Sequence, residues 1–551
     1  MNNLKSHVWS FFLKAIMIAS FVVVSIRLQA QKNPTWDNTE KSNWSTEFEE
    51  VDILSSADSS RQKAYLYRSK SDTPKPLIVS LHTWSGDYTQ KDPLVKEILA
   101  RDWNYIHPDF RGANNKPEAM GSPLVISDIE DAIQYAIANT NSHPEEVHIV
   151  GVSGGGYATF LAYMNIQYPV KSFSAWAPIS DIEAWYWESI GRKQKYATDM
   201  WKATSSDTVF NKKEALRRSP VVQSFPKERR ENAKLFIYEG VHDGYTGSVP
   251  ITHSINMYNR LAGELKYGTS DMDRIAAEAG TDSVLVSQKE IIDLLSKRTN
   301  PDNNKQQTLF GRSIYLSREY KNIRLTIFEG GHEQIPQALA LLPCNNTTSL
   351  KYNILTIGDS NAQNKDGWVD QLKKMMPDSR IVNISRSGRT IGFDNNGHKD
   401  LNALRNIDAF LDEAQSQIGN QTYDYIMICL GTNDTKNEFS EQQDEVVANF
   451  EKLLDKIKSH PLSKKSKAKC IYITPPPVKT KDIAPKYEGC NERLALLIPQ
   501  FETIATRKKF DVINVYQPLT GIFDDYAPDG VHMLGAGQEI IALQIIEAIQ
   551  N

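Results

Sequence analysis

Ser153 stands in Gly151-Val152-Ser153-Gly154-Gly155, between the apolar run VHIVGVS and the small-residue run GYATFLAYM. A sharp strand-to-helix turn needs glycines beside the serine, because side chains there would collide with neighbouring backbone. The turn lifts the hydroxyl to the strand end and aims helix amides at a developing oxyanion. Downstream, KLFIYEG leads into Val241-His242-Asp243, and IRLTIFEGG leads into His332. A second set follows in order: Gly358-Asp359-Ser360 after YNILTIGDS, then Asn383-Ile384-Ser385-Arg386-Ser387-Gly388, Gly431-Thr432-Asn433-Asp434 and Asp529-Gly530-Val531-His532. Serine, histidine and aspartate at successive strand ends are the residue types of nucleophilic acyl transfer.

The elements that must position these residues alternate β-rich runs with helical patterns, the mark of a parallel sheet covered by helices. The strands expected in the first half are PLIVSLH (76–82), VHIVGVS (147–153), SFSAWAP (172–178), KLFIYEG (234–240) and IRLTIFEGG (323–331). SDIEDAIQYAIANT (127–140) is a helix between two of them. After the polar stretch CNNTTSL (344–350) the alternation restarts with YNILTIGDS, RIVNIS, YDYIMICLGTND, KCIYITPPP and DVINVY. The division is therefore a leader over 1–30, a first domain over 31–343, a linker over 344–350 and a second domain over 351–551. The charged insertion 268–307 is expected to be helical and solvated. The linker has few apolar residues, and interfaces between such domains are commonly modest, so each half is expected to fold and act by itself.

Composition excludes some classes. The 551 residues carry 63 Lys+Arg against 67 Asp+Glu, a net charge of −4, which argues against a nucleic-acid partner. With 40% hydrophobic and 24% charged residues the chain is too apolar for disorder. Near the start, Lys5 precedes the apolar run Ala15–Ile26, shorter than the roughly 20 residues of a spanning helix. It reads as a secretory signal with a cleavage site at Leu-Gln-Ala ending in Ala30, an uncleaved anchor being the alternative. The expected location is secreted or periplasmic, with no membrane insertion after cleavage. Cys429 and Cys470 lie in strand-like runs as buried thiols, and Cys344 and Cys490 lie in loop-like surroundings where pairing is open. No cysteine spacing suggests zinc, and no metal-ligand cluster or cofactor motif stands out.

The first half resembles the α/β-hydrolase family, particularly its prolyl-oligopeptidase-like and carbohydrate-esterase members. The resemblance rests on GVSGGG around Ser153, RRSP (217–220), EGVHD ending at Asp243 and EGGHE around His332. It implies Ser153 as nucleophile, His332 as base and Asp243 as the residue orienting the base. The implied oxyanion donors are the backbone N–H groups of Gly154 and Trp84. His82-Thr83-Trp84 replaces the family's usual His-Gly there, and Val249-Pro250 follows Asp243 more distantly than in the peptidases. Trp176 reads as core. Trp185, Tyr186 and Trp187 cannot all face inward, and they are the candidate substrate-binding aromatics.

The second set resembles the SGNH (GDSL-type) hydrolase family from about Lys351 to Asn551, with a flavodoxin-like parallel sheet. That likeness implies Ser360 as nucleophile, His532 as base and Asp529 as its orienting carboxylate. The backbone amides of Ser360 and Gly388 and the Asn433 side chain would hold the oxyanion. The fold class is therefore α/β in two domains, an α/β-hydrolase sheet followed by an SGNH sheet. The combination implies an exported enzyme with two serine sites that removes acyl groups, above all acetyl, from a plant-type polysaccharide or its oligosaccharides, by family analogy. The alternatives are a lipase or general carboxylesterase, a serine peptidase in the first half, or one domain that only binds glycan.

Overall fold

The computed structural model describes residues 44–205, 209–298 and 307–550. The expected leader over 1–30 lies outside these. No helix among the described residues is long and apolar enough to cross a membrane.

The first sheet has ten strands: β1 (Glu49–Leu54), β2 (Arg61–Tyr67), β3 (Lys75–Leu81), β4 (Asn104–Pro108), β5 (Ser142–Val152), β6 (Ser172–Trp176), β7 (Lys234–Gly240), β8 (Thr308–Leu309), β9 (Arg312–Tyr320) and β10 (Ile323–Phe328). Their order is β1-β2-β4-β3-β5-β6-β7-β10-β9-β8. The six central strands from β4 to β10 pair in parallel, with antiparallel strands at both edges. All five strands expected here are present. The edge strands β1, β2 and β9 carry half-exposed polar residues and lack the continuous apolar run that marks a strand buried on both faces.

In β5, Val147 and Ile149 enter the core on one face while Val150 and Val152 enter the core on the other. Helix α1 (Val95–Arg101) precedes β4, α2 (Gly154–Asn165) follows β5, and α3 (Ile182–Gly191) follows β6. Residues 154–164 of α2 are all buried. The insertion is helical at Met272–Glu278 and Gln288–Lys297, but it is no solvated excursion. Its Ile275, Leu285 and Val286 are buried in the first core. Amphipathic spacing hides such a stripe in a sequence dominated by charge.

The second sheet is parallel throughout, ordered β12-β11-β13-β14-β15. Its strands are β11 (Asn353–Gly358), β12 (Arg380–Asn383), β13 (Tyr425–Cys429), β14 (Lys469–Ile473) and β15 (Asp511–Ile513). Ile426 and Ile428 of β13 pack with Phe450 and Leu453, and Met427 and Cys429 pack with Ile541 and Ile545 on the opposite face. Helix α4 (Phe523–Tyr526) and the terminal α5 (Gly535–Gln550) close this second layer.

The halves meet through α1, α4, α5 and the linker. Ala100 of α1 belongs to the core of the second sheet. Glu97 accepts from Arg101 Nε at 2.7 Å and from the Tyr526 hydroxyl at 2.7 Å, with all three side chains buried. Burial pushes the Glu97 carboxyl up even beside Arg101. Lys75 pairs with Glu547, and Gln544 Nε2 donates to the Ala100 carbonyl at 3.1 Å. Linker residue Asn346 donates to Glu539 at 2.6 Å. All four cysteines are free thiols. Cys344 lies against His148 of the first sheet, whereas Cys490 Sγ donates to the Thr435 carbonyl in the second half.

Candidate active sites

In the first half, three strand ends deliver the three residues. Ser153 follows β5 with φ 58° and ψ −118°, a conformation strained for a residue with a Cβ. Its N–H donates to the Trp176 carbonyl at 2.9 Å, which ties the turn to β6. Ser153 Oγ lies 2.9 Å from His332 Nε2, and His332 Nδ1 lies 2.6 Å from Asp243 Oδ2. The other Asp243 oxygen accepts the N–H groups of Gly244 at 2.8 Å and Val249 at 3.1 Å. Asp243 is thus fixed as an acceptor for imidazole N–H, which selects the tautomer with a basic Nε2 facing serine.

The space around the turn explains its glycines. A Cβ on Gly154 would stand 2.3 Å from the Trp84 backbone nitrogen, and one on Gly155 would stand 2.1 Å from the Leu81 carbonyl oxygen. Among the described residues neither Gly154 N–H nor Trp84 N–H has an acceptor, so both remain available to an oxyanion.

The aromatic expectation needs correction. Trp185 is fully buried: its ring meets Trp84 edge-on at 4.7 Å, and its Nε1 donates to the Ser248 carbonyl at 2.9 Å. It supports Trp84 and offers no face to a ligand. Tyr186 is stacked on Phe210 at 3.7 Å, so that face is taken as well. Only Trp187, 60% exposed, leaves its ring open to solvent. Trp176 is core, stacked on Tyr238.

Glu239, near the end of β7 and shortly before Asp243, escaped sequence reading. It accepts from Ser254 Oγ at 2.8 Å. Burial, and then the charge of Asp243, hold its carboxyl well above the usual range behind the triad. His242 is paired with Glu329 at 2.8 Å, away from the serine.

In the second half Ser360 opens the short helix Ser360–Gln363 at the end of β11. Its Oγ lies 2.8 Å from His532 Nε2, and His532 Nδ1 lies 2.6 Å from Asp529 Oδ2. Asp529 Oδ1 accepts the N–H groups of Val531 at 2.9 Å and His532 at 2.7 Å. Burial raises the Asp529 carboxyl, but the backbone and ring N–H groups of His532 and the Val531 N–H outweigh it and leave it below its ordinary value.

The donors come from three separate loops. Arg386 N–H donates to the Gly358 carbonyl at 3.1 Å and Ser387 N–H to Gln363 Oε1 at 2.6 Å, lacing the Gly388 loop to the serine turn. Gly388 itself has φ 80°. Asn433 Nδ2 donates to the Arg389 carbonyl at 3.1 Å, which spends one of its two amide protons on the same loop. Sequence reading missed the supports: Asn395 Nδ2 on the Gly388 carbonyl at 2.6 Å and Lys436 on Asn395 at 3.0 Å. Asp434 accepts Ile391 N–H at 2.9 Å on both oxygens, and burial pushes its carboxyl up to about 7.

The two histidine loops also meet each other. Gln337, shortly after His332, donates from Nε2 to the carbonyl of Asp525, shortly before Asp529. The expectation of no metal-ligand cluster is corrected as well: Glu146, His148 and Cys344 bring three ligand atoms within 4.8 Å of one another. They belong to neither serine site.

Two families match this chain, one in each half. Residues 355–540 match the GDSL-like lipase/acylhydrolase family, and residues 98–277 match the prolyl oligopeptidase family. Both are serine hydrolase families, and the pair supports ester hydrolysis. Among solved structures, a carbohydrate acetylesterase family member from Sinorhizobium meliloti is 19% identical over 36% of this chain and 97% of that one, with a TM-score of 0.30. The native aryl esterase of M. smegmatis is 20% identical over 36% of this chain and 98% of that one, with a TM-score of 0.30. An acylaminoacyl peptidase in complex with a chloromethyl ketone is 18% identical over 39% of this chain and 35% of that one, with a TM-score of 0.31. No protein of curated function matches the chain.

Proposed function

We propose that the chain is an exported carbohydrate esterase with two serine sites, removing acyl groups, above all acetyl, from a plant-type polysaccharide or its oligosaccharides. The observation that carries the reading is the pair of separately assembled Ser–His–Asp lines, 2.9 and 2.6 Å in the first half and 2.8 and 2.6 Å in the second. In each, Oγ attacks the ester carbonyl as its proton passes to the imidazole Nε2. The same proton then goes to the leaving sugar oxygen, leaving an acyl-serine. Water, deprotonated by the imidazole, attacks that acyl group, and the imidazolium returns the proton to serine Oγ as the acid leaves. Gly154 and Trp84 in one site, and Ser360, Gly388 and Asn433 in the other, would receive the charge on the carbonyl oxygen.

The test compares wild type, Ser153→Ala, Ser360→Ala and the double variant on acetylated xylan, acetylated pectin and feruloylated arabinoxylan. Each single variant should lose a different part of the acid released, and the double variant should release none. Release of acyl groups from simple p-nitrophenyl esters alone would contradict the carbohydrate assignment.

The prolyl oligopeptidase match over 98–277 favours one second reading, a peptidase in the first half. Ser153-dependent cleavage of a prolyl-p-nitroanilide without cleavage of p-nitrophenyl acetate would establish it.

A further inference from the structure

Glu146 and His148 lie two residues apart on β5 and therefore project to the same face of the sheet. Cys344 reaches that face from the start of the linker, just past the turn Ala338–Leu341. His148 is fully buried, and its Nδ1 lies 2.7 Å from Ser172 Oγ on the neighbouring strand. This holds the ring so that Nε2 points at the other two residues. Nε2 lies 3.5 Å from Cys344 Sγ and 3.4 Å from Glu146 Oε2.

The two separations from His148 Nε2 match two edges of a coordination tetrahedron, and all three ligand atoms lie within 4.8 Å of one another. Zinc–nitrogen and zinc–oxygen bonds of about 2.0–2.1 Å with a zinc–sulfur bond of about 2.3 Å give N···S near 3.6 Å and N···O near 3.3 Å. Hydrogen bonding alone serves the cluster poorly. One ring nitrogen cannot donate to Glu146 and accept from the Cys344 thiol at the same time. Glu146 also pairs with Lys171 and accepts Asn345 N–H at 3.3 Å, so the carboxylate is already oriented from both sides.

We propose that Glu146, His148 and Cys344 bind one zinc ion, with water in the fourth position, as a clasp between the linker and the first sheet. The Cys344 S–H proton leaves to solvent as the sulfur–zinc bond forms. His148 binds through Nε2 and donates its Nδ1 proton to Ser172, the outer partner that a zinc-bound imidazole ordinarily has. One carboxylate and one thiolate neutralise the ion. The clasp lies toward the start of β5, five residues or about 16 Å of strand from Ser153, so it is structural and outside the chemistry.

The full chain, stripped with chelator and dialysed, is titrated with cobalt(II) and then with zinc. One equivalent of cobalt should give a thiolate-to-cobalt charge-transfer band with tetrahedral d–d absorption, and zinc should bleach both. Cys344→Ala should lose the band, and Ser153→Ala should keep it. One equivalent of zinc should raise the melting temperature of wild type but not of Cys344→Ala. No thiolate–cobalt band in wild type, or an undiminished band in Cys344→Ala, would overturn the proposal. The wild-type titration decides the matter even where the variant fails to fold.

Discussion

At the scale of single residues, the support for each oxyanion donor differs, and so do the expected consequences of removing it. Asn433 makes one bond to Arg389 and keeps one proton for the substrate. Asn433→Ala should therefore lower kcat by about 10²–10³ with little change in KM, because its amide is needed chiefly in the transition state. Steady-state kinetics on a Ser153→Ala background isolates that effect. Trp185 gives a different signature. As a buried brace behind Trp84, Trp185→Ala should cost about 3–5 kcal/mol of stability and lower kcat at the first site. A sugar platform would instead raise KM and leave the melting temperature unchanged. Its burial was not legible from sequence, since three consecutive aromatics on a helix point in three directions and composition does not say which faces the core. Ser153, Asp243, His332 and Ser360 were legible because each follows a parallel strand, whereas Asp529 and His532 follow α4 and were legible from their Asp-x-x-His spacing. Glu239 was not, because an acid inside a strand carries no signal until the fold places it behind Asp243.

At the scale of elements, α4 links the halves to the chemistry. Tyr526 is held by Glu97 and lies just ahead of the loop with Asp529 and His532. Tyr526→Phe removes one hydroxyl bonded to a charged group, which should cost about 1.5–3 kcal/mol. It should also lower kcat at the Ser360 site while the Ser153 site is unchanged, measured with the other serine replaced in turn. Equal kinetics at both sites would show that α4 does not position the second triad. Asp434 adds a pH signature in the loop that braces Gly388. Its folded pKa of about 7 lies above the usual carboxylate value, so the folded state binds a proton that the unfolded chain releases. The stability it contributes is full below about pH 4 and is lost as pH rises toward 7. Asp434→Asn should remove that part of the slope in chemical denaturation between those pH values; an unaltered slope would contradict it. The parallel strands that place these loops were readable as apolar runs. The antiparallel edges β1, β2 and β9 were not, because half their residues face water.

At the scale of the whole molecule, the halves are joined by a buried polar network that neither half holds alone. Separation would leave Glu97 and Arg101 without Tyr526 and would strip Ala100 from the second core. The Glu97–Arg101 pair lies within α1 and survives separation, so the loss is that of the Tyr526 hydroxyl bond and of the apolar burial around Ala100. Fragments 31–343 and 349–551 should each melt below the intact chain, and mixing them should recover part of the loss at the Ser360 site. Fragments as stable and as active as the whole would show the interface to be modest. A polar linker sequence said nothing of this, since the contact is made by α1 on one side and by α4 and α5, far from it in the chain, on the other. The sites themselves remain chemically complete within each half, and this is the central claim. Its most direct test is intact-mass measurement after labelling with a fluorophosphonate. Two labels per chain are expected in wild type, one on Ser360 in Ser153→Ala, one on Ser153 in Ser360→Ala, and none in the double variant. A single label in wild type, or loss of both labels from one substitution, would contradict two self-sufficient serine sites.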